Sequence, residues 1–440
     1  MAAALVVDLG AACARAAVFD SGDAWLVPDP ADGSGQWPAA AYLDPAEGLA
    51  FGALAERHRP AEPANYAGRF VRTLDSDAPV TLGDHRYRPV DLVAGLLAAI
   101  GAAARRRHGG VVDRLLLTVP VSYTGADPRR EWLIAAGEAA GFGVVELLAE
   151  PLAAAHAPGS GPALPSGSRL LVYGLGASGF STALVELDRH GHRVLAQAGI
   201  DGLGGDPLDA LIAEHIRASA QPWRETALTG ASAADATRLD RAVTDLARQV
   251  REGLSDGPVV ERSLLPDTPP YRLTADEFAA LAEPLLRRTV ECAEQVLAEA
   301  GAAPDEVLPV GGATRMPLVT RLLAGAFHRP VRRFPEPELA VVRGAVGWLP
   351  RSGPRVIAAE TPGGRTVPLA FPIPGGGGTL VRWLVEPGEP YGAGHPLARV
   401  RLPGGALWDL VAAAPGAVDR FLVGPGTPVA AGEWLAVVRA

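Results

Sequence analysis

Residues 169–187 read RLLVYGLGASGFSTALVEL, and the GLGASG inside them (174–179) matches the G-x-G-x-x-G pattern of a dinucleotide-binding loop. Such a loop needs a strand before it and a helix after it. The strand is present at residues 170–173, LLVY. The next residues, FSTALVEL, alternate polar and apolar side chains and are rich in β-formers, so they read as a second strand. The glycines therefore turn a hairpin and the dinucleotide reading fails. A plain Gly-rich turn without a ligand stays open as the alternative.

A hairpin of the same shape opens the chain: ALVVDLGAACARAAVFD, residues 4–20. Two strand–Gly–strand hairpins far apart suggest two related halves facing one ligand. Glycine at each tip would let backbone N–H groups approach a phosphate closely.

The chain has 440 residues, more than one core organises, so two or three domains are expected. A net charge of −9 with no long basic run argues against nucleic acid as a partner. The longest apolar run, LVAGLLAAIGAAA (92–104), is too short to span a bilayer, so no membrane association is expected. No basic region precedes the N-terminal apolar stretch and Asp8 interrupts it, which argues against a signal peptide. Two cysteines, Cys13 and Cys292, make no disulfide framework, so the expected location is cytoplasmic. All 40 basic Lys+Arg positions are Arg.

Residues 91–158 alternate helix, strand, helix and strand, the pattern of an α/β architecture with parallel pairing. GLGGDPLDAL (202–211) reads as a turn feeding a helix, and 206–255 as helix-rich. Thr274 and Glu277 form a capping box before a long amphipathic helix that ends at Gly301. VLPVGGATRMPLVTRLLAGAF (307–327) reads strand, Gly-Gly turn, helix. A glycine pair opening a helix would suit a nucleotide at the helix N-terminus, with a tight βα turn as the equal alternative. A Pro/Gly-rich stretch at 351–378 reads as a linker. Beyond it, residues 383–400 repeat at 421–438 with 10 of 18 positions identical, implying a small β module of two similar halves.

Six motifs in order resemble the nucleotide-binding part of the 70-kDa heat-shock (DnaK-like) chaperones of the actin-like ATPase superfamily. They are LVVDLGAACA, TVPVSY, LLAEPLAAAHA, LLVYGLGASGFS, GIDGLGGDPLDAL and LPVGGATRMP, with EPELAVVRGAV similar to the second connecting helix. The resemblance implies an α/β, two-lobed actin-like (ribonuclease-H-like) fold over residues 1–350. The C-terminal module, 379–440, resembles lipoyl and biotinyl barrel-sandwich domains. In those, a lysine at the hairpin tip carries the prosthetic group. The matching tip here, RLPGGALW, has Gly404 or Gly405 at that place, and a chain without lysine takes neither lipoate nor biotin there. No stretch after 349 resembles the heat-shock family's linker or peptide-binding domain.

By resemblance, Asp8 and Gly10 belong to the first phosphate loop and Gly176 to the second, while Gly204 and Gly205 lie near the phosphates. Glu150 matches the catalytic glutamate, and Asp8 would hold Mg2+ through water. Gly311, Gly312 and Arg315 match the adenosine loop, and Arg251 and Ser255 the helix over adenine and ribose. Several family residues are replaced. Ala11 and Ala12 stand for hydroxyls, Gly174, Gly179 and Ser181 for an Asp, Thr and Asp set, and Val71 for the lysine near the γ-phosphate. Arg does not easily stand in for a lysine there, because its fork is larger and placed differently. Removing one preorganised donor costs roughly 10²-fold or more in rate. The expectation is a protein that binds ATP or ADP with weak or no hydrolysis and serves one client or partner protein, which docks on the β module. The alternatives are a slow but active ATPase chaperone or reactivating factor, and a nucleotide-free pseudo-ATPase scaffold.

Overall fold

The computed structural model describes residues 3–439 except 77, 124–126, 158–162, 189–191, 221–231, 266–267, 350–354, 358–365 and 404. Lobe I is built on β1 (Ala4–Leu9), β2 (Cys13–Asp20), β3 (Asp23–Leu26), β4 (Arg114–Val119) and β5 (Val144–Ala149), in the order β5-β4-β1-β2-β3. Helices α1 (Pro89–His108) and α2 (Pro128–Ala139) serve its connections, and α3 (Glu150–Ala155) follows β5. The pairings β1–β4 and β4–β5 are parallel, and β1–β2 is the antiparallel hairpin expected.

Lobe II repeats this scheme. Strands β6 (Arg169–Leu175) and β7 (Gly179–Glu186) form the second hairpin, β8 (Arg193–Asp201) extends it, and β9 (Glu306–Val310) lies parallel to β6 as β4 lies to β1. Its helices are α4 (Gly205–Ser219), α5 (Ala233–Asp256), α6 (Ala275–Ala300) and α7 (Pro317–Phe327). The capping box at Thr274 and Glu277 is present, and α6 ends at Gly301, whose φ of 59° places it in the left-handed region.

Both hairpins are apolar on both faces. In β1, Leu5, Val7 and Leu9 enter the lobe I core, while Ala4 and Val6 enter a central core. In β6, Leu171, Tyr173 and Leu175 enter the lobe II core, while Leu170 and Val172 enter the same central core. That central core is filled by α3 and by α8 (Ala340–Trp348), the two connecting helices. They cross so closely that a Cβ on Gly344 would stand 1.9 Å from the Ala153 carbonyl oxygen.

The chain closes in two further sheets. Strands β10 (Arg355–Ile357), β11 (Thr366–Ala370), β12 (Gly377–Trp383), β13 (Pro390–Tyr391), β14 (Pro396–Arg401), β15 (Leu407–Val411), β16 (Gly416–Phe421), β17 (Pro428–Ala430) and β18 (Trp434–Arg439) run in the orders β10-β15-β14-β12-β17 and β11-β18-β16-β13. Each repeat thus lends a short strand to the other's sheet: β17 pairs β12, and β13 pairs β16. The repeated turns are alike in conformation, with φ of 86° and 86° at Gly388 and Gly426 and 79° and 78° at Gly394 and Gly432. The structure differs from the sequence reading at 351–378. There β11 pairs β18, and Phe371 and Ile373 are buried in this unit's core. The Pro/Gly content conceals a strand on the edge of its sheet, where prolines are tolerated.

Candidate functional site

A cleft of about 800 Å3 runs between the lobes, within the range of small-molecule sites. Asp8, Gly10, Glu150, Gly176, Gly205, Arg251, Ser255, Gly311, Gly312 and Arg315 all line it, so almost every residue singled out in the sequence converges here. Gly204 is the exception. A Cβ on it would meet the carbonyl oxygens of Gly176 and Ala177 at 2.7 Å, so it seats the start of α4 on the second hairpin. The N–H groups of Gly205 and Asp206 donate to those same carbonyls, at 2.9 and 2.7 Å, and the Gly176 N–H donates to Gly179 O at 3.0 Å. These donors serve the protein's own backbone, so the α4 N-terminus braces the hairpin.

The glycine pair at 311–312 also departs from expectation. It opens a 3-10 turn, Gly312–Arg315, and α7 starts only at Pro317. Gly311 has φ 92°, and a Cβ there would stand 2.4 Å from the Leu175 carbonyl oxygen, so only glycine fits between the turn and the end of β6. The turn still presents Arg315 to the cleft, held by Glu338 with Nη2–Oε1 at 2.6 Å and Nε–Oε2 at 3.0 Å. On α5, Arg251 is buried and gives Nε to Asp209 Oδ1 at 2.6 Å, its guanidinium packed against Gly205.

At the floor lie the two carboxyls. Asp8 accepts a hydrogen bond from the Thr118 hydroxyl at 2.8 Å. Burial pushes its carboxyl up, opposed by the charge of Arg15 and by that hydrogen bond. Glu150 opens α3. Burial, then the neighbouring charge of Asp8, pushes it up to about 8, with Ser181 opposing through a hydrogen bond. Both carboxyls of the floor are therefore held above the ordinary carboxylate range. Among the described residues no group of three His, Cys, Asp or Glu side chains could hold a metal ion.

Val71, at the expected lysine position, lines the cleft as a buried apolar side chain in the turn Phe70–Thr73. Its neighbours Arg69 and Arg72 both pair with Asp206 of lobe II, Arg72 Nη1 at 3.0 Å from Oδ2. Arg59 pairs with Asp245 across the same divide at 3.1 Å. Sequence reasoning passed over Arg15, Asp206, Asp209 and Glu338. The signal for Arg15 was a lone charge at alternate spacing in the apolar strand CARAAVFD, in register with Asp8. At the tip of the C-terminal hairpin, Gly405 has φ 85°, and Gly404 lies outside the described residues.

A family model described as Hsp70 protein matches residues 61–347. The chain is 34% identical over 262 residues to a chaperone protein HscA homolog of Aeromonas hydrophila, covering 58% of this chain and 40% of that protein. HscA of Pectobacterium carotovorum is 34% identical and that of Photorhabdus laumondii 33%, over the same lengths. The chain thus spans about two fifths of the length of these relatives. No described helix is long and apolar enough to cross a membrane. The matched span, the doubled hairpin lobes and the cleft between them agree, and the chain belongs to the Hsp70 family.

Proposed function

We propose that the chain binds adenine nucleotide, ATP or ADP, in the interlobe cleft, hydrolyses it weakly or not at all, and acts as a client-specific chaperone or assembly factor. The carrying observation is the convergence on one cleft of the 311–315 turn, the Arg251–Ser255 face of α5 and the two hairpin tips. Adenosine would lie between the turn and α5, and the phosphates between the tips at Gly10 and Gly176. Where the family places a lysine, Val71 offers no donor, and Arg69 and Arg72 are engaged by Asp206. When bound, Mg2+ would neutralise phosphate charge. Thr118 and Ser181 would orient the two carboxyls beneath it.

We place the partner site on residues 355–440, read as a barrel-sandwich unit of the lipoyl type without its lysine. Support comes from exposed apolar side chains there, Trp434 at 63% and Leu422 at 43% exposure. Calorimetry with ATP and ADP, with and without magnesium, tests the nucleotide reading. Heat of binding with no phosphate release over hours supports it. Absence of binding at millimolar nucleotide would leave a scaffold. Release of phosphate abolished by Glu150→Gln would favour the slow ATPase, for which the retained Asp8–Glu150 pair argues.

A further inference from the structure

We propose that Arg15 is the phosphate-binding cation of this cleft, and that it lets the site hold a nucleotide's phosphate tail without a divalent metal. The proposal rests on the nucleotide reading above and names the residue that would carry it.

Seven described arginines line the cleft, and six are already paired. Arg69 and Arg72 pair with Asp206, Arg129 with Asp127, Arg248 and Arg251 with Asp209, and Arg315 with Glu338. Arg15 has no carboxylate within 4.0 Å among the described residues. Its Nε is buried and has no hydrogen-bond acceptor among the described residues. A guanidinium N–H removed from water and left without an acceptor is costly, and a ligand that supplied the acceptor here would recover that cost.

The placement follows from register. Asp8 and Arg15 are opposite residues of the β1–β2 hairpin, so both side chains leave the same face, the one that meets the central core and, at its upper end, the cleft. In the second hairpin the equivalent opposite pair is Gly174 and Ser181, neither of them charged. The floor therefore carries, beside Asp8, a guanidinium whose buried Nε has no acceptor among the described residues. Such a floor suits an anion. A planar guanidinium meets phosphate oxygens with two parallel N–H donors, and its charge does part of what a metal does elsewhere.

The test is calorimetry on the full chain with ADP and with adenosine, in EDTA and in magnesium. In EDTA the wild type should bind ADP at least about 10-fold more tightly than adenosine, the worth of one charge-assisted hydrogen bond. Arg15→Ala and Arg15→Gln should each weaken ADP by about 10-fold or more while adenosine is unchanged, and Arg15→Lys should recover part of the loss. Equal affinity of the wild type for ADP and adenosine in EDTA overturns the proposal even if the variants do not fold. Unchanged ADP affinity in both neutral variants overturns it too. A wild type that binds neither ligand under any condition sinks the nucleotide reading itself, which is a different result.

Discussion

Arg72 of lobe I lies 3.0 Å from Asp206 at the start of α4 in lobe II, and Arg69 reaches the same carboxylate. Asp206 is 15% exposed and Arg72 44%, so water screens the pair only in part. The two contacts join the lobes at the mouth of the cleft that a nucleotide would have to leave. Asp206→Ala should speed ADP release by about 2- to 10-fold, since exposed ion pairs are worth roughly 0.2–1 kcal/mol each. Stopped-flow displacement of a fluorescent ADP analogue reads this directly. An unchanged rate would mean that these pairs do not restrain opening.

Glu150 makes a pH prediction. Its folded-state carboxyl is raised to about 8 from an ordinary 4.5, so the folded chain binds this proton more tightly than the unfolded chain does. Its contribution is full below the unfolded value and is lost as pH rises through the folded one. Glu150→Gln, which cannot ionise, should melt about 4 °C or more above wild type at pH 9 and alike at pH 4. A difference independent of pH would refute the shifted carboxyl.

The crossing of α3 and α8 predicts a pair of opposite glycine effects. Gly344→Ala sets a methyl 1.9 Å from the Ala153 carbonyl oxygen and should cost about 3 kcal/mol or more by overpacking. Gly325→Ala, in α7 with nothing within 4 Å, should stabilise by about 0.5–1 kcal/mol. Denaturant titration of both variants checks the sign of each.

The start of the C-terminal unit can be found by truncation. A fragment of residues 355–440 should show cooperative melting. A fragment of 379–440 should not, because it lacks β11 and the buried side chains Phe371 and Ile373. Each such large apolar side chain contributes about 1.5–3 kcal/mol of burial. Equal melting of the two fragments would place the boundary where the Pro/Gly content suggested.

Much of the fold was legible in the sequence because it is written in short-range patterns. Alternation after GLGASG marked one hairpin and tip glycines marked both, a capping box marked α6, and an 18-residue repeat marked two halves with matching turn angles. These are properties of neighbours along the chain, and the physics that sets them acts within a few residues.

The charge state of the cleft was not legible. Arg69 and Arg72 are spent on Asp206, more than 130 residues away, and Glu150 gains its proton affinity from burial and then from Asp8. Arg251 and Arg315, ligand contacts by resemblance, are each tied to a carboxylate, while Arg15, an ordinary strand residue to the eye, keeps a buried Nε without an acceptor among the described residues. Local pattern decided which strands and turns form and which residues reach the cleft. Which charges remain free there depends on distances of a few ångström between remote segments and on exclusion of water, and only the folded arrangement of the two lobes sets those.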